Sequence, residues 1–149
     1  MPATRATAAR SRPRRARWGA PLAALALAGC GSTVASTNFS GERNEVAQAI
    51  ANLQSDVNAQ EQQKVCNNDL ASAVVARLDA AAGGCKQALK DQLTEIDNSE
   101  VKVDSVQLGS GREAGTATAH VRTIYSGKTR ASTVSLRKEN GKWKLAAIE

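Results

Sequence analysis

The first periodic pattern of apolar side chains follows a short uncharged segment that ends near residue 41. Four apolar residues recur at spacings of four, three and four, with Gln and Asn at many of the positions between them: Val46, Ile50, Leu53 and Val57. This spacing places the four side chains on one face of a helix. Ser40 is the predicted N-cap, and acidic residues in the first turn suit the helix dipole. The pattern predicts a helix of about twenty residues that packs on one side only.

Two further helices are predicted before residue 97. The second begins after Asn67 or Asn68 as its cap and ends at Gly83-Gly84, because glycine tolerates the left-handed backbone of a helix terminus. Its apolar positions are Leu70, Val74, Val75 and Leu78. The third runs from about Lys86 to Ile96, with Leu89 and Leu93 on the same side as Ile96.

Helical spacing then gives way to alternation rich in Val and Thr, which is typical of strands. The predicted strands are Val101 to Leu108, Thr116 to Tyr125, Thr129 to Lys138 and Lys142 to Ile148. Ser126-Gly127 and Asn140-Gly141 are two-residue hairpin signals. The alternation of apolar residues changes phase near Asp104 or Ser105, which predicts a β-bulge. Helices followed by a meander predict an α+β fold, in which helices cover one face of a four-stranded antiparallel sheet.

The basic charge of the chain comes from its first 29 residues. The formal net charge is +6, and the six arginines before Cys30 have no acidic residue among them. From Cys30 onward, 14 basic and 14 acidic residues balance. The charge therefore gives no reason to expect a nucleic-acid partner. A basic stretch, an apolar run too short to span a bilayer and small residues at its end predict an export signal. Arg14-Arg15 leaves the twin-arginine route open.

The apolar run ends in Leu27-Ala28-Gly29-Cys30, which resembles the lipobox of bacterial lipoproteins. The resemblance implies lipidation of the Cys30 thiol, cleavage before Cys30 and an anchor on the outer face of the cell membrane. Cleavage at an ordinary small-x-small site such as Ala26-Leu27-Ala28, which would release a soluble protein, is the alternative. The predicted organisation is a cleaved signal peptide over 1–29, a flexible tether over 30–41 and a single domain over 42–149.

Cys66 and Cys85 bracket the second predicted helix. In an exported chain, two thiols at such positions predict a disulfide. The chain has one histidine, His120, and the cysteine spacing matches no zinc motif, so no metal is expected. A disulfide between these two residues leaves Cys30 as the unpaired cysteine, as lipidation requires.

The long amide-rich helix, the cysteine pair and the final meander, with "KENGKWKL" at residues 138–145, together resemble the nuclear transport factor 2-like superfamily. This cone-shaped α+β fold is shared by ketosteroid isomerase and many small actinobacterial lipoproteins. The resemblance implies that Trp143 covers the helix layer and that a small apolar pocket lies between sheet and helices. The chain departs from the enzymes of the superfamily because it lacks a clear hairpin between its second and third helices.

Few residues qualify as catalytic groups of such an enzyme. Tyr125 stands at a strand end, Asp104 flanks the predicted bulge, and His120 shares a strand face with polar residues, where an exposed position is expected. No Ser-His-Asp set, phosphate-binding loop or paired carboxylates stand out. The sequence therefore favours a binding or interaction domain without catalysis or cofactor, and a small isomerase or dehydratase is the alternative.

The partners predicted are the membrane, through Cys30, and a small apolar ligand or an envelope protein. Residues 112–149 carry eight basic and three acidic side chains. Their strands could face anionic headgroups, or the charges could serve to keep the sheet soluble and its edges unpaired. The basic strand residues are Arg122, Lys128, Arg130, Arg137, Lys142 and Lys144. The oligomeric state is not indicated.

Overall fold

The computed structural model describes residues 39–149 apart from 82, 95 and 97. The predicted signal peptide, the predicted lipidation site at Cys30 and most of the predicted tether lie outside the described residues. The helices are α1 (Glu42–Asn58), α2 (Gln62–Lys64), α3 (Ser72–Asp79) and α4 (Gly84–Thr94), and a π-helical turn, Val65–Asp69, follows α2 directly. The strands are β1 (Glu100–Leu108), β2 (Thr116–Tyr125), β3 (Lys128–Glu139) and β4 (Lys142–Ile148).

The four strands form one antiparallel meander in the order β1-β2-β3-β4. Both predicted two-residue turns are present. Ser126 and Gly127 have φ of 48° and 73°, and Asn140 and Gly141 have φ of 52° and 78°. Positive φ at both central positions matches the right-handed twist of the flanking strands. The β1–β2 register shifts between Val103 and Ser105, which confirms the predicted bulge.

Helix α1 covers one face of the sheet, which confirms the predicted α+β architecture. Eleven buried side chains form this layer, which we call the sheet core: Val46, Ala47, Ile50, Val103, Val106, Ala117, Ala119, Val121, Val134, Leu136 and Trp143. Trp143 is 6% exposed and packs with the buried face of α1, in agreement with its predicted role. Apolar side chains fill the space between α1 and the strands.

A second apolar group, which we call the helix cluster, joins the π-helical turn to α3 and α4. Its buried members are Val65, Cys66, Leu70, Cys85 and Leu93. Cys66 and Cys85 form the predicted disulfide, with Cα atoms 6.2 Å apart. Leu53 and Val57 of α1 are partly buried against this cluster. The predicted apolar face of α1 is therefore shared between the two groups.

Two predicted helix starts are wrong. The N-cap of α1 is Gly41, at φ 57°, and no side chain caps the helix. Ser40 precedes this position by one residue and therefore does not act as the cap. The second predicted helix begins at Ser72, not after Asn67 or Asn68. Leu70 is extended and pairs with Leu145 in a parallel bridge, so the chain must leave the π-helical turn before α3 can begin.

Carboxylates of β3 and α3 cap the starts of α3 and α4. The Glu139 carboxylate accepts hydrogen bonds from the Ser72 backbone N–H, at 3.1 Å to each oxygen, and from Ser72 Oγ at 2.9 Å. The Ser72 N–H is the largest cause of the lowered pKa of Glu139. Asp79 Oδ1 accepts a hydrogen bond from the Cys85 N–H at 2.8 Å and thereby caps α4.

Candidate functional site

A cleft of about 630 Å³, lined mostly by polar side chains, runs along the polar face of α1. Its other walls are the segment from Lys64 to Asp69 and the start of β4. The lining residues are Asn44, Glu45, Gln48, Ala49, Asn52, Ser55, Asp56, Lys64, Asn68, Asp69, Gly141, Lys142 and Trp143. Its lining therefore differs from that of the small apolar pocket that the family resemblance implied.

The helical period of α1 creates the wall of the cleft. Asn44, Gln48 and Asn52 are four residues apart and so lie above one another on one face. Gln48 Nε2 donates to Asn52 Oδ1 at 3.1 Å. The same period buries Val46 and Ile50 on the sheet side. The amide-rich pattern seen in the sequence thus becomes a continuous polar wall.

Two carboxylates, Asp56 from α1 and Asp69 from the end of the π-helical turn, meet in this cleft. Asp69 is 8% exposed, and its Oδ2 has no hydrogen-bond partner in the part of the chain that the structure describes. Burial, and then the neighbouring Asp56 carboxylate, raise the pKa of Asp69 to about 7. A buried charge is costly, and two adjacent carboxylates cannot both ionise without repulsion. The pair therefore retains a proton at pH values where a solvated aspartate has lost its own.

Lysine side chains compensate this pair only in part. Lys64 Nζ forms an ion pair with Glu61 and lies 4.0 Å from Asp56 Oδ1. Its hydrogen bond with Glu61 is the largest cause of the raised pKa of Lys64. Lys144 lowers the pKa of Asp69 electrostatically, but its Nζ donates to the Asn67 carbonyl at 2.9 Å. Both ammonium groups are thus engaged by other acceptors.

Trp143 contributes a second buried polar atom to the residues that line the cleft. Its Nε1 has no hydrogen-bond partner among the described residues. Lys138 Nζ lies 5.5 Å from the centre of the Trp143 ring and bonds Glu42 at 2.7 Å and Glu45 at 3.2 Å. These bonds raise the pKa of Lys138, and the bond to Glu42 makes the largest contribution. They hold the end of β3 against the first turn of α1, which fixes the position of the indole.

A backbone contact joins the turn that ends at Asp69 to the strand that carries Trp143. Leu70 and Leu145 form the parallel bridge, and the Ala71 N–H donates to the Leu145 carbonyl at 2.8 Å. Asp69 is one residue from this bridge, and Trp143 is two residues from it. The disulfide at Cys66 holds the same turn to α4, so the carboxylate pair and the indole are positioned by rigid elements.

The residues named from the sequence as catalytic candidates lie elsewhere. Asp104 is exposed and bonds the Arg122 guanidinium through both oxygens, the shortest contact being 2.6 Å. The bond to Arg122 lowers the pKa of Asp104. His120 is exposed on the same outer face, with Nδ1 3.4 Å from Thr133 Oγ1. Tyr125 is 41% exposed at the end of β2. None of these three lines the cleft, and their catalytic role stays a prediction.

Sequence reasoning missed Asp56 and Asp69. The period of α1 could have placed Asp56 beside Asn52 on the polar face, four residues apart. Nothing in the sequence marks Asp69 as buried, because its burial depends on the π-helical turn and on the bridge to β4. The pairing of these carboxylates is a product of the tertiary fold.

The basic residues of the strands do not converge on one face. Arg122 is paired with Ala131 across the β2–β3 ladder, and Arg130 is paired with Thr123. Side chains of successive strand residues point to opposite faces, so Arg122 and Arg130 lie on opposite sides of the sheet.

Within the described residues, no group of three or more His, Cys, Asp and Glu side chains could hold a metal ion.

A scan against protein-family models and a search of curated proteins returned no match. A search of solved structures found the chain similar to a designed nuclear transport factor 2-like protein, Rd1NTF2_05 with five substitutions. The sequences are 19% identical, the TM-score is 0.45, and the likeness covers 71% of this chain and 96% of the designed one. The fold class itself follows from the strand order and the packing of α1 described above.

None of the helices in the described residues combines the length and apolarity that crossing a membrane requires.

Proposed function

We propose that this protein is a membrane-anchored extracytoplasmic lipoprotein whose nuclear transport factor 2-like domain binds a small polar ligand without catalysis. The cleft along α1 carries the proposal. It is bordered by two buried polar side chains, Asp69 and Trp143, each with an atom that lacks a partner among the described residues. An unpaired buried polar group costs about 1–3 kcal/mol, and a ligand that pairs with it recovers that cost.

The cysteines support the anchor. The chain has three, and Cys66 and Cys85 pair with one another. A structural disulfide is typical of exported proteins. The third cysteine, Cys30, completes the lipobox-like sequence, and two or more acyl chains on it would give stable membrane attachment.

Metabolic labelling of cells with an alkyne fatty acid tests the anchor. We expect label on the wild-type protein and none on a Cys30→Ser variant. A Cys85→Ser variant is the matched control, because it removes a disulfide thiol and leaves the lipobox intact. Label that persists on Cys30→Ser would refute the anchor.

A ligand-observed NMR screen with polar fragments tests binding in the cleft. Asn52 is exposed and lines the cleft, so an Asn52→Trp variant fills the space without disturbing the sheet core. We expect fragments that bind wild type to lose binding in this variant. Ala131→Trp, on the outer face of β3, is the control and should bind normally. Equal binding by both variants would place the ligand elsewhere.

The second candidate function is a small isomerase or dehydratase, and the raised pKa of Asp69 favours it. A carboxyl group with a pKa near 7 can donate and accept protons at neutral pH. An Asp69→Asn variant would then lose turnover of a cleft ligand while still binding it. A ligand that wild type binds and leaves unchanged would argue for the binding domain.

A further inference from the structure

We propose, on the basis of the binding function above, that the cleft is a receptor for an organic ammonium ion with an adjacent oxygen acceptor, as in an amino alcohol or amino sugar. The Asp56 and Asp69 carboxylates would accept hydrogen bonds from the ammonium group. Trp143 Nε1 would donate to the oxygen. Amide side chains of α1 would contact the remainder of the ligand.

The first argument is the excess of acceptors at the carboxylate pair. Apart from the proton that the pair retains, Asp69 Oδ2 has no donor in the described part of the chain. The nearest cation at Asp56, Lys64, is 4.0 Å away and is engaged by Glu61. An ammonium group brings one positive charge and three N–H donors. It therefore supplies both the charge and the donors that the pair lacks.

The second argument is independent of the acidic pair. Trp143 is 94% buried, yet its indole N–H has no acceptor in the residues described. Buried Trp N–H groups usually find a partner. Asp69 and Trp143 both line the cleft. One small ligand that carries a donor beside an acceptor would therefore contact both residues.

The cleft also offers contacts for the polar remainder of such a ligand. Four amide side chains line the same cleft: Asn44, Gln48, Asn52 and Asn68. Amides both donate and accept, as hydroxyl groups and amines do.

The proton held by the pair gives this binding a pH signature. An arriving ammonium ion takes the place of that proton, which leaves to the buffer, so affinity rises as the pH approaches 7. The other charged groups at or near the cleft are Glu45, Lys64, Lys142 and Lys144, together with Glu61, which pairs with Lys64. The single histidine, His120, lies on the outer face of the sheet.

Isothermal titration calorimetry of the full chain in non-ionic detergent tests the proposal. Ethanolamine and glucosamine are the probes, with ethylene glycol and glucose as matched neutral compounds. We expect the amines to bind at least tenfold more tightly than the neutral compounds. Their affinity should rise severalfold from pH 6 to pH 7, and titration in two buffers of different ionisation heat should show proton release.

Three variants assign the contacts. Asp69→Asn should weaken amine binding at least tenfold, and Trp143→Phe should weaken glucosamine binding by a smaller factor. If the Phe variant does not fold, Asp56→Asn replaces it, with the same expectation as Asp69→Asn. Asp104→Asn, on the outer face, is the control and should bind as wild type does.

The outcomes separate this proposal from the binding function on which it rests. If the neutral compounds bind as tightly as the amines, ammonium recognition is overturned. If that binding is also lost in Asn52→Trp, the cleft is retained as a ligand site. Tight competition by Ca²⁺ or Mg²⁺ would replace the ammonium receptor with a metal site. No binding by any amine would also overturn it, while the fragment screen would still decide whether the cleft binds ligands.

Discussion

The sheet core and the helix cluster are stabilised in different ways. The sheet core draws eleven buried side chains from α1 and all four strands. The helix cluster has five buried members, and two of them are the disulfide cysteines. Helix α3 is eight residues long and has no buried residue. The helix cluster has shorter helices and fewer buried side chains, and a covalent link and carboxylate caps add to its stability.

Truncation in the sheet core should have the largest effect. Ile50 is 4% exposed and packs between α1 and the strands. An Ile50→Ala variant should lose about 2–5 kcal/mol of unfolding free energy, because it forfeits apolar burial and leaves a cavity. Urea unfolding measures this loss, with the exposed Arg43→Ala as control. A cost below that of the disulfide variant described next would contradict the ranking of the two regions.

Removal of the disulfide should weaken the helix cluster first. Replacing both Cys66 and Cys85 by Ala should cost about 3 kcal/mol, the value expected for a closed loop of this length. Hydrogen exchange should show greater loss of amide protection in α3 and α4 than in β2. Equal loss throughout the sheet would mean that the two regions unfold as one unit.

The carboxylate pair at the junction of the two regions should make stability depend on pH. The pKa of Asp69 rises from 3.8 to about 7 on folding, so the folded state binds the proton more tightly. Stability should therefore fall as the pH rises from about 4 to 7. Asp69→Asn should flatten this dependence and be more stable above pH 7, by about 1–3 kcal/mol.

Asp104→Asn is the matched control for the pH experiment. The bond to Arg122 lowers the pKa of Asp104. Asp104 therefore contributes stability that is present above its unfolded pKa and is lost as the pH falls, which is the opposite of the dependence expected for Asp69. Thermal melts of the three proteins between pH 4 and 8 measure the Asp69 effect, and melts below pH 4 measure that of Asp104. An unchanged pH slope in Asp69→Asn would show that the pair does not share a proton.

Loss of the Glu139 cap should have the smallest and most local effect. Glu139→Ala removes the acceptor of the Ser72 N–H, so amide exchange should accelerate in the first turn of α3. Glu139→Gln keeps one acceptor oxygen and should show a weaker change. The lowered pKa of Glu139 predicts that wild type approaches the Ala variant as the pH falls below the ordinary glutamate range.

Local signals predicted the sheet closely. The turn dipeptides Ser126-Gly127 and Asn140-Gly141 act within two residues, and the alternation between them fixes the register. The predicted and observed bounds of β2 and β4 agree, and the bulge at Asp104 was visible as a change of phase. Each of these features depends on residues close together in the chain.

The helix starts and the cleft depend on contacts between distant residues. Glu139 caps α3 from 67 residues away, and no local pattern announces such a partner. Asp69 is buried because Leu70 bridges to Leu145, which converts a predicted helix start into a wall of the cleft. The sequence could therefore predict the amide face of α1 but not the carboxylate that faces it.

The parallel bridge between Leu70 and Leu145 also bears on aggregation. β4 is the last strand of the sheet, and an uncovered edge strand is a template for pairing with other chains. The Ala71 N–H donates to the Leu145 carbonyl, so the middle of this edge is already hydrogen-bonded. The turn that supplies this cover is tethered by the disulfide. We therefore expect the disulfide to protect solubility as well as stability, and the reduced protein to be prone to self-association through β4.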